Sequence, residues 1–126
     1  MMKKVVGTKS IHILCELYNC NHKILDDVEL IEKYMVEAAL EAGAEIRQVA
    51  FQKFAPCGVS GVVIISESHL TIHSWPEEGY ASIDVYTCGD KINPMDACIY
   101  LKDKLEAKTI FEKQFIRGDG EIREKE

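Results

Sequence analysis

Apolar and polar residues alternate from Thr8 to Tyr18, with Ile11, Ile13, Cys15 and Leu17 sharing one face, and this period of two predicts a half-buried strand. Asn19 to Lys23 reads as a polar turn. The period then changes. Val28, Ile31, Met35 and Ala38 recur at helical spacing, Asp26 stands as an N-cap with Glu29 three residues on, and Gly43 sits where a C-cap glycine belongs, so a helix is expected over about 27–42. Alternation returns in Glu45–Phe54, Ser68–Trp75 and Tyr80–Cys88, and Val59–Ser66 is a short apolar run. Pro56-Cys57-Gly58 and Pro76-Glu77-Glu78-Gly79 punctuate these strands. Asn93-Pro94 opens a second helix, striped by Met95, Cys98, Ile99, Leu101 and Leu105 and running to about Ala107. A last strand is predicted over Thr109–Ile116, followed by a charged tail whose final residues, 119–126, have little to bury and read as mobile.

Short links between the middle strands imply antiparallel neighbours, because parallel pairs need long crossovers. The expected fold is α+β: one antiparallel sheet with two helices on one face, in a single domain spanning 1–126. The other sheet face must meet water or another subunit. Val62, Val63, Ile64 and Ile65 place apolar residues on both faces, which suggests that two copies close into a two-fold αββα sandwich.

The 126 residues carry 47% apolar and 29% charged side chains, an ordinary globular balance. A net charge of −6 argues against a nucleic-acid partner. No apolar run approaches the ~20 residues that cross a bilayer, and Met1–Gly7 lacks an export core, so no membrane contact and a cytoplasmic location are expected. Five cysteines without a C-x-x-C pair read as reduced thiols.

The polar residues that need a reason lie between Ser60 and Cys88. His69 and His73 would chelate on a helix, but on a strand they stand about 13 Å apart, so no metal is expected. Ser68 is not in a G-x-S-x-G elbow, and Glu67 beside it would repel an oxyanion. Antiparallel pairing of two strands would let Ser68, His73 and Cys88 converge as serine, base and thiol, a set that leaves the reaction unnamed.

The run Glu67-Ser68-His69-Leu70-Thr71-Ile72-His73-Ser74-Trp75-Pro76-Glu77, with Asp84-Val85-Tyr86-Thr87-Cys88-Gly89 after it and Phe54-Ala55-Pro56 and Gly58-Val59-Ser60-Gly61 before it, resembles the small prokaryotic S-adenosylmethionine decarboxylases. Leu25-Asp26-Asp27 and Arg117-Gly118 also fall where that family has them. The likeness is tight from Phe54 to Gly89 and looser elsewhere.

The resemblance implies a proenzyme that cuts itself between Glu67 and Ser68 into a β chain, 1–67, and an α chain, 68–126, the latter starting with a pyruvoyl group made from Ser68. It implies that His73 is the processing base and that Ser60 assists the ester intermediate. The pyruvoyl group would form a Schiff base with the substrate amine and take up the electrons left by carbon dioxide. Cys88 would return the proton. Phe54 and Trp75 would meet a sulfonium, Glu77 the ribose hydroxyls, and Leu70 would add backbone contacts. The implied product serves polyamine (spermidine) synthesis, and the implied assembly is a homodimer with sites lined by both chains. Ser74, Glu78 and Cys57 depart from the usual Thr, Tyr and polar amide, as does Lys9-Ser10-Ile11-His12 from the usual start, which leaves substrate selectivity open. Arginine or ornithine decarboxylation on the same pyruvoyl scaffold remains an alternative, as does an unprocessed, non-catalytic binding homologue.

Overall fold

The computed structural model describes residues 8–126; the start Met1–Gly7, where no export segment is expected, lies outside the described residues. Its elements in chain order are β1 (Ser10–Tyr18), α1 (His22–Leu25), α2 (Val28–Glu41), β2 (Gln48–Lys53), β3 (Val59–Ile65), β4 (Ser68–Trp75), β5 (Tyr80–Cys88), α3 (Pro94–Lys104), β6 (Thr109–Arg117) and β7 (Arg123–Glu124), with a 3₁₀ turn at Pro76–Glu78. All seven strands join one open antiparallel sheet in the order β2-β3-β4-β5-β1-β6-β7.

Alternation decides what each sheet face carries. Ile13, Cys15 and Leu17 of β1, Val63 and Ile65 of β3, Leu70 and Ile72 of β4, and Ile83 and Val85 of β5 turn to the helices and are almost fully buried. Ile31 and Met35 of α2 and Cys98 and Leu101 of α3 meet them from above. The result is the α+β fold expected, with the core confined to one side of the sheet.

The opposite, open face keeps part of the expectation. The run Val62–Ile65 divides by parity: Val63 and Ile65 enter the core, leaving only Val62 and Ile64 outside. Around them the open face carries the polar His12, Thr71, His73 and Asp84 with Tyr86, and also the exposed Leu14, Trp75 and Phe111, so it mixes polar, aromatic and apolar groups.

Two local readings are corrected. Asn19–Lys23 is not all turn, because the Asn21 side chain accepts from the Lys23 and Ile24 amides and starts α1. The cap of α2 is Asp27, whose carboxylate accepts from the Leu30 amide; Asp26 instead accepts from the Gly58 amide at 2.8 Å and pairs with Lys53 at 3.1 Å. The charged tail, expected to be mobile, carries pairing of its own. Arg123 is held by Asp119 and Glu121, and β7 adds to the free edge of β6 opposite Phe115 and Ile116.

Candidate active site

Glu67 and Ser68 lie at one end of the sheet, where β3 turns into β4. Ile65 pairs with Ser68 across a two-residue turn, and Ser66 there takes a left-handed φ of 49°. A turn this tight exposes the Glu67–Ser68 link at the hairpin tip while the strand buries the Ser68 side chain to 6% exposure. Cys88 ends the neighbouring strand at the same level. Its amide donates to Ser68 Oγ at 3.0 Å, and its thiol donates to the Glu67 carbonyl at 3.5 Å. A hydroxyl nucleophile, a carbonyl one residue away and a thiol therefore meet in one place.

His73 does not join them. It lies five residues further along β4, about 16 Å from Ser68 at the rise of a strand. It also points from the open face, whereas Ser68 points to the helices. The convergence of serine, base and thiol expected from the strand pairing is thus half right: Cys88 reaches Ser68 and His73 cannot. Its Nδ1 is instead 2.8 Å from Ser60 Oγ, across the β3–β4 ladder that pairs those residues.

A second group forms around this Ser60–His73 pair. Phe54, Cys57, Gly58, Trp75 and Glu77 line a cavity of about 310 Å³ with them. Phe54 and Trp75, both on the cavity wall, keep 46% and 41% of their surface exposed. The fold holds this wall from two sides. Asp26 fixes the β2–β3 connection through Gly58, whose φ of +112° a side chain would resist, and that amide, aided by Lys53, holds the Asp26 carboxyl below its ordinary range. Behind Pro76–Glu78, Gly79 at φ 64° turns the chain into β5 and so fixes Glu77 at the rim. The Cys57 thiol donates to Glu77 Oε1 at 3.2 Å, and that bond chiefly, with partial burial next, pushes the thiol above its ordinary value. Aromatic faces beside a carboxylate suit an organic cation that also carries hydroxyls.

Leu70 belongs to neither group. Its side chain is fully buried between Val63 and Val85.

Residues 11–118 match the family described as S-adenosylmethionine decarboxylase. The chain belongs to that family. It is 63% identical over 107 residues to an S-adenosylmethionine decarboxylase proenzyme of Clostridium tetani, 85% of each chain being covered. To the proenzyme of the same name from Acetivibrio thermocellus it is 62% identical over 107 residues, 85% of this chain and 86% of that one. The crystal structure of the adenosylmethionine decarboxylase from Aquifex aeolicus superposes with a TM-score of 0.80 at 33% identity, covering 95% of this chain and 98% of that chain.

In this member of the S-adenosylmethionine decarboxylase family, two features had no strong signal in the sequence. On the open face, His12 Nε2 lies 3.2 Å from Asp84 Oδ1, Thr71 donates to Asp84 Oδ2 at 3.1 Å, and Arg117 approaches His12 Nδ1 at 3.1 Å while its guanidinium lies 5.0 Å from the centre of the Tyr86 ring. His69 stacks on the same Tyr86, and burial chiefly pulls it below the ordinary histidine value. Residues so far apart in sequence meet only because β1 lies between β5 and β6. The second feature is Thr87, which is 1% exposed and whose Oγ1 has no hydrogen-bond partner. Among the described residues no three His, Cys, Asp or Glu side chains gather as a metal site, and no helix is long and apolar enough to cross a membrane.

Proposed function

We propose that this chain is a self-processing pyruvoyl enzyme that decarboxylates S-adenosylmethionine and so supplies the aminopropyl donor of polyamine synthesis. The observation that carries the reading is the meeting of Ser68 Oγ, the Glu67 carbonyl and Cys88 at the β3–β4 turn. In the processing step Ser68 Oγ bonds the Glu67 carbonyl carbon while the carbonyl carbon–nitrogen bond breaks, and the hydroxyl proton ends on the Ser68 nitrogen. Removal of the Ser68 α-proton then expels the Glu67 carboxylate and leaves dehydroalanine, and addition of water with loss of the Ser68 nitrogen as ammonia leaves a pyruvoyl group at the start of 68–126.

That group supplies an electron sink for the pair left behind when carbon dioxide departs. The rest is work for side chains. Cys88, already beside residue 68, returns a proton to the substrate α-carbon. Phe54 and Trp75 bind the sulfonium through their ring faces, and Glu77 accepts from the ribose hydroxyls.

His73 serves as processing base with Ser60 assisting, and both act on the Ser68 of a second copy. The ~16 Å between Ser68 and His73 within one strand supports this division. A two-fold axis lying between two open faces and running across the strands reverses the strand direction of the second sheet and sets the cavity end of one chain beside the Glu67–Ser68 hairpin tip of the other, where residue 68 is reached around the sheet end. The open face is then the inside of a homodimer.

Intact-mass measurement of purified protein tests the reading. Two pieces are expected, 1–67 and 68–126, the second blocked to Edman sequencing, together with carbon dioxide release from S-adenosylmethionine. A single 14.2 kDa chain that releases none would refute it. Release from arginine or ornithine instead would keep the pyruvoyl chemistry and change the substrate.

A further inference from the structure

Nothing in the chemistry above uses Thr87, yet its placement calls for a use. The β4–β5 register pairs Ile72 with Ile83 and Leu70 with Val85. Carried one step further, it sets Ser68 directly against Thr87. Both side chains point to the helix side of the sheet, and they are 6% and 1% exposed. Facing residues of an antiparallel pair have Cβ atoms about 5 Å apart, close enough for two hydroxyls to meet after a rotation about χ1.

The two hydroxyls have complementary needs. Ser68 Oγ accepts from the Cys88 amide, a bond that leaves its own proton unused. Thr87 Oγ1 has neither donor nor acceptor in the uncut chain. Buried hydroxyls are ordinarily satisfied, and an orphan in the core is an exception that needs a reason. A valine of the same shape would avoid the cost of burying it.

We propose that Thr87 is a positioning residue for self-processing, its Oγ1 taking the hydrogen bond from the Ser68 hydroxyl as Ser68 rotates toward the Glu67 carbonyl. In that rotamer a lone pair of Ser68 Oγ is free to attack the carbonyl carbon, and the proton is steered away from it. As the new carbon–oxygen bond forms and the old carbon–nitrogen bond breaks, that proton leaves Oγ for the Ser68 nitrogen, so Thr87 is unchanged at the end. This inference rests on the proposed processing at Ser68.

The experiment compares Thr87→Val, which keeps the shape and deletes the hydroxyl, with Thr87→Ser, which keeps the hydroxyl. Freshly made full-length chain is followed by intact mass as it converts to 1–67 and 68–126. Thr87→Val is expected to slow conversion at least tenfold, and Thr87→Ser to stay within about threefold of the parent. Thermal midpoints are measured on the same substitutions in a Ser68→Ala background, where every chain stays uncut. There Thr87→Val is expected to melt at or above the temperature of Ser68→Ala alone, because it removes an unsatisfied group. Conversion of Thr87→Val at the parental rate overturns the inference, as does slow conversion accompanied by a lowered midpoint, which marks a merely structural role. If the parent chain itself is never cut, the processing reading fails first; a parent that cuts beside an unaffected Thr87→Val chain removes only the role of Thr87.

Discussion

Trans processing can be tested by pairing two defective chains. One carries Ser68→Ala and cannot be cut; the other carries His73→Ala and keeps its Ser68. Within one chain the five strand residues from Ser68 to His73 span about 16 Å, while the contacts made at each end are 2.8–3.0 Å long. No side-chain rotation closes that gap, so a His73 acts on its own Ser68 only if β4 unravels. In the two-fold arrangement the mixed dimer has one fully disabled site and one intact site, the latter made from Ser68 of the His73→Ala chain and Ser60–His73 of the Ser68→Ala chain. Co-expression in equal amounts pairs chains at random, so about half the dimers are mixed and about half the His73→Ala chains are expected to be cut. Differently tagged chains and intact mass read this directly. Each variant expressed alone gives the baseline, expected near zero. Mixed dimers, recovered through both tags, in which no His73→Ala chain is cut would refute the trans reading, and a monomer by light scattering for fully cut, active protein would refute the dimer itself.

Two further substitutions check the wall that carries the cavity. Ser74 Oγ donates to the Leu25 carbonyl at 2.7 Å and accepts from the Val59 amide at 3.0 Å, so Ser74→Ala strands two buried backbone groups and is expected to cost about 2–4 kcal/mol in urea unfolding of the Ser68→Ala chain. Ser74→Thr keeps the hydroxyl and is expected to cost far less; equal losses would refute the hydrogen-bond account. The Cys57 thiol is raised by its bond to Glu77, so alkylation by iodoacetamide should set in at higher pH than for an ordinary thiol, and Glu77→Gln should move that rise to lower pH. A pH profile at Cys57 that Glu77→Gln leaves in place would show that the bond does not govern the thiol.

Much of the fold is legible because two periods are. Ser68–Trp75 and Tyr80–Cys88 alternate cleanly, and the strands found there have those bounds. The helix beginning near Asp27 announces itself by Ile31, Met35 and Ala38, all buried. What escapes the pattern is short or non-local. A helix of four residues, His22–Leu25, has no period to detect, and its signal is only the capping side chain of Asn21. Asp26 and Asp27 are interchangeable as caps in sequence; Gly58, a residue far along the chain, decides between them by engaging Asp26. The site divides in the same manner. Cys88 reaching Ser68 follows from two adjacent strands, and Ser60 beside His73 from one ladder pair. That the two pairs lie at opposite ends requires only the strand rise, the same rise that separates His69 from His73. The meeting of His12, Asp84 and Arg117 depends on where β1 is inserted, for which no local pattern exists.

The strand order has a consequence for the life history of the molecule. Residues 1–67 contain β1, β2 and β3, and residues 68–126 contain β4 to β7, yet β1 is inserted between β5 and β6. A cut at the β3–β4 turn therefore yields two polypeptides woven together along three strand seams, β3 with β4, β5 with β1, and β1 with β6. They stay together while folded without any covalent link. Unfolding then separates them, its midpoint falls on dilution, and recovery becomes an encounter of two molecules instead of the collapse of one. The uncut chain keeps all seven strands on one polypeptide; the cut one carries a fold that its pieces must find each other to rebuild.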